Sequence, residues 1–127
     1  MDPQQELFSA LLVALRELNI DVYDGILPPE DVPYPFIYLG ENQLIDRSYK
    51  DVIGGRVIQT VHVFHSNVRS RGDLSQILLS IKTTARKLHH SKNFDWYVSN
   101  VNQRILPDNT TDIPLLHGVL EIEFQFT

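Results

Sequence analysis

Residues 116–126 alternate between apolar side chains and mostly polar ones, and this alternation constrains the fold more than any other feature of the chain. A period of two is typical of a β-strand, whose successive side chains point to opposite faces of a sheet. Leu120, Ile122 and Phe124 would face a core, whereas Glu121 and Glu123 would face solvent. A strand with one buried face needs a second layer to cover it.

Two segments with helical periodicity supply that second layer. Apolar residues in 7–18 recur on one stripe after Asp2, which is a good N-cap, and this helix is predicted to end at Asn19. A second helix is predicted over residues 73–89, with Asp73 as its N-cap. The remaining markers are Pro3 at the first helical position, Gln5 in a capping-box position, and a second apolar stripe of Leu74, Ile77, Leu78, Ile81, Ala85 and Leu88.

Four further segments have the composition of strands. Residues 36–39 form an apolar run that follows two prolines and stops at Gly40, a pattern typical of a strand buried on both faces. Residues 22–25, 56–65 and 96–105 are the other predicted strands. The order is α-β-β-β-α-β-β. We therefore expect one domain, 1–127, with an α+β fold: a two-layer sandwich in which a mainly antiparallel sheet of four to five strands packs against two amphipathic helices.

The polar segment between the second and third predicted strands has two interpretations. Residues 40–55 would either extend both strands into a long hairpin that closes at Gly54-Gly55, or form a mobile loop. Scattered apolar residues among its charges indicate ordering against a partner, with packing onto the domain's own core as the alternative. The candidate interface residues are Leu44, Ile45, Tyr49, Val52 and Ile53.

The sequence offers no pattern for catalysis, a metal or a cofactor. The absence of cysteine excludes disulfides, thiol catalysis and zinc–thiolate sites. His62 and His65 are predicted on opposite faces of a strand, His89 and His90 splay apart at a helix end, and His117 stands alone. We therefore expect a protein that is not an enzyme and that needs no cofactor.

The net charge of −5, from 16 acidic and 11 basic residues, argues against an ordinary nucleic-acid binder. A basic cluster is predicted in the C-terminal half of the second helix, where cations favour the helix dipole and solvation explains them better than nucleic acid does. No apolar run approaches the roughly 20 residues that span a bilayer. The cluster comprises Lys82, Arg86, Lys87, His89 and His90.

Several short motifs, in this order and spacing, resemble the tail-completion proteins of long-tailed bacteriophages, which are also called tail terminators or tail-to-head joining proteins. The resemblance spans most of the chain, although His65 stands where an aromatic residue is expected. The motifs are Val22-Tyr23-Asp24-Gly25, the segment 33–41, Gly54-Gly55 before a strand, His62-Val63-Phe64-His65-Ser66 before a helix, and His117-Gly118-Val119-Leu120.

The resemblance implies a structural virion protein that forms a ring, expected to be a hexamer, on the head-proximal end of the tail tube. Its expected partners are the tail-tube protein, a neck or head-completion protein and further copies of itself. The expected location is the tail–neck junction of the virion, after assembly in the host cytoplasm, with no contact to a membrane. The alternatives are another head–tail neck adaptor or, more distantly, a small ligand-binding α+β domain.

DNA passes through such a ring, so the acidic balance of the chain suggests a role. A lumen lined by carboxylates would repel phosphates and let the duplex slide without sequence-specific binding. Glu121 and Glu123 are the candidate lumen acids. The alternative is that the net charge of −5 serves only solubility.

Overall fold

A computed structural model describes residues 2–29, 32–49, 52–110 and 113–127. It has the predicted element order and a five-stranded sheet with the strand order β1-β2-β3-β5-β4. The β1–β2 pair is parallel and all other pairs are antiparallel, which confirms the α+β sandwich. The elements are α1 (Pro3–Arg16), β1 (Asp21–Asp24), β2 (Phe36–Tyr49), β3 (Val52–His65), α2 (Arg71–Arg86), β4 (Trp96–Asp108) and β5 (Leu115–Phe126).

Both helices pack on the same face of the sheet, and the core lies between the two layers. The alternation in β5 predicts this face correctly, since Leu120, Ile122 and Phe124 are fully buried. Gly118 on the same strand lets α2 approach, because a Cβ there would lie 3.1 Å from both methyl groups of Leu78. The helices contribute the fully buried Leu7, Leu11 and Leu15 from α1, and Leu74, Leu78 and Ile81 from α2.

The helix ends follow the predictions only in part. The Asp2 side chain accepts a hydrogen bond from the Gln5 backbone N–H at 3.1 Å, which confirms the N-cap of α1. The Gln5 side chain donates to Ser9 instead of returning to Asp2, so the capping box is incomplete. For α2 the predicted cap is wrong. The helix begins at Arg71, after Ser70, and Asp73 lies in its first turn, where an acidic side chain still favours the helix dipole.

The two interpretations of residues 40–55 are resolved in favour of a long hairpin. Strand β2 continues to Tyr49 and β3 starts at Val52, so the predicted closure at Gly54-Gly55 is wrong. Those glycines lie within β3, where Gly54 pairs with Arg47 and Gly55 with Asp46. Gly55 suits a strand interior here because a Cβ would collide with the carbonyl oxygen of Ile45.

A β-bulge interrupts the hairpin between Leu39 and Asn42, and a buried amide fills it. Gln59 lies on the core face of β3 and is fully buried. Its Oε1 accepts from Asn42 Nδ2 at 2.6 Å, and its Nε2 donates to the carbonyl oxygens of Thr60 at 2.8 Å and Glu41 at 3.3 Å. This side chain therefore satisfies backbone groups that the bulge removes from the ladder.

Strand β4 is longer than predicted. It continues past Ile105 to Asp108, so Pro107 lies within the strand, opposite Leu116, instead of opening a loop. Proline is tolerated there because β4 is an edge strand and its outer side needs no ladder partner. In the described part of the chain, neither helix has the length and apolar character that crossing a membrane requires.

Candidate assembly surfaces

The five candidate interface residues all lie on the far half of the β2–β3 hairpin, but their side chains do not share one environment. Leu44 packs partly buried against the core, as the alternative interpretation expects. Ile45 has the opposite orientation and is also half-buried. Tyr49 pairs with Val52, and Ile53 pairs with Ser48, through the backbone. The side chains of Tyr49, Val52 and Ile53 lie outside the described part of the structure.

The two candidate lumen acids lie on the sheet face that no helix covers, but their environments differ. Glu121 is exposed. Glu123 is half-buried and lies 3.5 Å from the Arg56 guanidinium. The Glu123 carboxylate also accepts hydrogen bonds from Ser99 and Gln125, each at 3.0 Å. The Glu123 charge is therefore largely balanced, whereas Glu121 has no ion pair or hydrogen bond among the described residues.

The other half of this open face carries a cluster of stacked rings. Phe36 and Phe64 lie opposite each other on β2 and β3, with ring centroids 5.2 Å apart. Phe64 in turn stacks on His117 of β5, at 4.3 Å and 13° between ring planes. His62 stacks on His117 at 5.0 Å and lies 5.8 Å from the Tyr38 ring. Ring packing of this kind stabilises a sheet surface that has no second layer above it.

The prediction that His117 stands alone is wrong. Its Nε2 lies 2.8 Å from Nδ1 of His62, so one of these nitrogens carries a proton and donates to the other. Burial lowers the pKa of both imidazoles, and the neighbouring Arg104 guanidinium lowers both further, whereas Glu41 opposes the effect at His62. The pair is therefore neutral near pH 7. Only the β3–β5 register brings these residues together, so the local sequence carries no signal for the pair.

A glycine makes room for this histidine pair. An added Cβ at Gly40 would lie 2.8 Å from His62 Nε2 and 2.9 Å from its Cδ2, closer than such atoms can approach without a clash. Gly40 comes directly after the apolar run of β2, at the position where sequence analysis predicts only the end of a strand. Its physical role is to leave room for the His62 ring beside the β2 backbone.

A cleft of about 590 Å³ opens beside His62, where β1 ends and β2 continues. Asp24 and Glu41 supply two carboxylates at its rim, and both side chains are exposed. The Tyr38 hydroxyl donates a hydrogen bond to the Gly25 carbonyl oxygen at 2.9 Å, and this bond fixes the wall of the cleft between Asp24 and Glu41. We call this feature the acidic cleft; it is lined by Phe8, Asp24, Gly25, Tyr38, Leu39, Gly40, Glu41 and His62.

The described residues contain no group of three or more His, Cys, Asp or Glu side chains that could hold a metal ion. The neutral histidine pair has both facing nitrogens occupied by their mutual hydrogen bond, which leaves them no free lone pair for a ligand. The arrangement of stacked rings, an acidic cleft and open strand edges has the chemistry of a contact surface.

The sequence matches no protein-family model, and it matches no curated protein. Solved structures do share the fold. One chain, from the virion of a native gene transfer agent (GTA) particle, has a TM-score of 0.61 at 14% sequence identity, over 97% of this chain and 94% of that one. A second solved structure, which carries no functional name, has a TM-score of 0.61 at 13% identity, over 99% of this chain and 97% of its own. At these identities the likeness shows the fold over nearly the whole chain.

Proposed function

We propose that this chain is a structural, non-enzymatic protein of a phage virion, and that copies of it form a ring on the head-proximal end of the tail tube. The ring ends tube polymerisation and joins the tail to the head. The partners in this proposal are the tail-tube protein on one side and a neck or head-completion protein on the other. The protein acts at the tail–neck junction after assembly in the host cytoplasm.

The observation that carries the proposal is the fold likeness to a chain of a gene transfer agent virion, because it covers almost all of both chains. The tail-completion motifs of the sequence point in the same direction by an independent route. The surfaces agree with a role in assembly, since the acidic cleft and the edge strands of the sheet offer contacts for proteins.

The proposal assigns the open sheet face to the lumen, because the helices already cover the other face. Glu121 then supplies the charge that repels passing DNA. Glu123 contributes less, because Arg56 and two hydrogen-bond donors balance its carboxylate. Changing Glu121 to Lys should slow DNA ejection, whereas changing Asp73 to Lys, which makes the same charge change on α2, should leave it unaltered. Equal ejection rates for the two variants would contradict the proposed electrostatic lining of the lumen but would not contradict the capping role.

The capping role is tested by removing the protein from phage that encodes it. Phage without it should produce tails of uncontrolled length that fail to join filled heads, and supplying the chain from a plasmid should restore normal particles. Tails of normal length that cannot join heads would indicate a neck adaptor instead. Normal, infectious particles would exclude both structural roles.

A further inference from the structure

Strand β4 leaves one end of the sheet open. Among the described residues its only strand partner is β5; the Trp96 N–H donates to the His89 carbonyl oxygen at the start of the strand, and the other outer backbone groups have no ladder partner. A bulge between Val98 and Asn100 and the proline at 107 protect its two ends. Residues 100–106 between them lack such protection, and a free strand edge of this length is a template for pairing with another chain.

The opposite end of the sheet also has an open edge. Strand β1 covers β2 only from Phe36 to Leu39, and the rest of β2 continues to Tyr49 with only β3 beside it in the described structure. At this side the Gln4 side chain donates to the Asn42 carbonyl oxygen at 3.0 Å. We call this side the β1–β2 edge. Because β1 and β2 run opposite to β4, a second copy in the same orientation would present an antiparallel edge.

The two ends of the sheet carry opposite charge. The described residues of 2–49, which form α1, β1 and β2, hold seven Asp or Glu and two Arg, a formal charge of −5. Residues 66–110, which form α2 and β4, hold seven Lys or Arg and three Asp, a formal charge of +4. In α2, Thr84 faces α1. Lys82 and Arg86 each lie two positions from Thr84, a little more than half a helical turn, so they lie on the opposite flank of the helix, towards β4. The molecule is therefore electrically polar across its sheet.

Specific side chains concentrate this polarity. Arg104 is exposed on β4, and its guanidinium, which neighbours the His62–His117 pair, has no ion pair or hydrogen bond with a described residue. At the other end, no described residue pairs with the carboxylates of Asp24 and Glu41 in the acidic cleft. The Tyr38 ring in the same cleft adds an aromatic surface, and guanidinium groups favour a site of carboxylates beside an aromatic ring.

The strand register places these groups at matching heights. Asp24 pairs with Leu39, and the row continues across β3 and β5 to Gln103, which precedes Arg104. The offset between the acidic cleft and Arg104 is thus one residue, about 3.3 Å along the strands. Copies placed side by side would bring the two groups together with little axial shift, which a closed ring requires in addition to a rotation between neighbouring copies.

We propose that the β4 edge of one copy docks head to tail on the β1–β2 edge of a second copy, with Arg104 entering the acidic cleft. The inference rests on the proposed function for the closed ring, and it adds the surfaces and the charges that build it. The partner is a second copy of this chain because the complementary edges belong to the same molecule at the same height.

A charge-swap experiment tests the contact. Arg104→Glu reverses the charge on the basic side of the contact, and Asp24→Lys/Glu41→Lys reverses it on the acidic side. Each variant alone should therefore cap tail tubes at least about tenfold less well than the unchanged chain. A one-to-one mixture restores opposite charges at every alternating contact and should recover capping. The matched controls, Lys92→Glu and Glu17→Lys/Asp73→Lys, should cap normally. Folded variants that cap normally on their own, or a mixture that fails to recover, would overturn the inference.

A second measurement needs no tail tube and separates this inference from the proposed function. The chain has no native cysteine, so Asp24→Cys combined with Arg104→Cys in one chain places one thiol on each side of the proposed contact and none elsewhere. Oxidation at high protein concentration should give a covalent ladder that ends in a closed ring. The control pair Glu17→Cys with Lys92→Cys should remain monomeric. If the residue-24 and residue-104 cysteine chain forms the covalent ladder but the unchanged chain does not cap tail tubes, only the tail-tube role is contradicted. If the control cysteine pair forms an equal ladder, the proposed contact is contradicted.

Discussion

Replacing Gly40 by alanine should push the His62 ring out of its hydrogen bond with His117. The new Cβ would lie 2.8 Å from His62 Nε2, so the ring must turn. Losing the hydrogen bond costs about 0.5–1.5 kcal/mol, and an off-rotamer side chain costs a similar amount. Alanine in a strand regains about 0.5–1 kcal/mol over glycine. The net expectation is a loss of roughly 1 kcal/mol.

The sign of this effect should reverse when the histidine is absent. In a His62→Ala background the Cβ added at position 40 meets no ring, so Gly40→Ala should stabilise the fold by about 0.5–1 kcal/mol. The coupling energy between the two positions would then be about 1–3 kcal/mol. Urea denaturation followed by the fluorescence of the single, buried Trp96 measures it. Gly72→Ala is the control, because no atom lies within 4 Å of its added Cβ. Additive effects at residues 40 and 62 would refute the steric argument.

Three further predictions concern the core, the histidine pair and the hairpin. Leu120→Ala should cost about 2–5 kcal/mol in denaturant melts, against less than about 0.5 kcal/mol for exposed Val13→Ala, and similar values would contradict the buried face of β5. Because burial lowers the pKa of His62 and His117 from 6.5, the unfolded chain binds more protons, and the free energy of unfolding should fall as pH drops below about 6.5. A His62→Gln/His117→Gln variant that kept the same pH dependence would exclude this pair as its source. The β2–β3 ladder continues from Asn42 to Tyr49, so the paired amides of this hairpin should be protected from exchange in the isolated subunit, and fast exchange there would contradict the long hairpin.

Periodicity predicts the elements of this fold well, because each amphipathic stripe is a local record of a buried face. The stripes of both helices and the alternation of β5 place Leu11, Leu78 and Leu120 in the core correctly. The helix starts are less predictable. Asp73 is a good capping residue, but α2 begins before it without any side-chain cap, and the burial of Leu74 stabilises this first turn.

The surfaces depend on long-range register and therefore lie outside the reach of sequence patterns. His62 and His117 meet only because β5 inserts between β3 and β4 in the sheet. The local sequence of β3 gives no reason to expect a buried glutamine at position 59. The burial of Gln59 follows from the bulge on the neighbouring strand. The difference between Glu121 and Glu123 comes from Arg56 on β3, which the alternation of β5 cannot reveal.

Copies of this chain are proposed to form a ring on one end of a tail tube, and electron microscopy of tail-tube protein polymerised with and without the chain can show it. With the chain, the tubes should carry a ring at one end only and stop growing there, whereas the Arg104→Glu variant should leave the ends bare. Tubes of unchanged length with no added density at either end would exclude the capping ring.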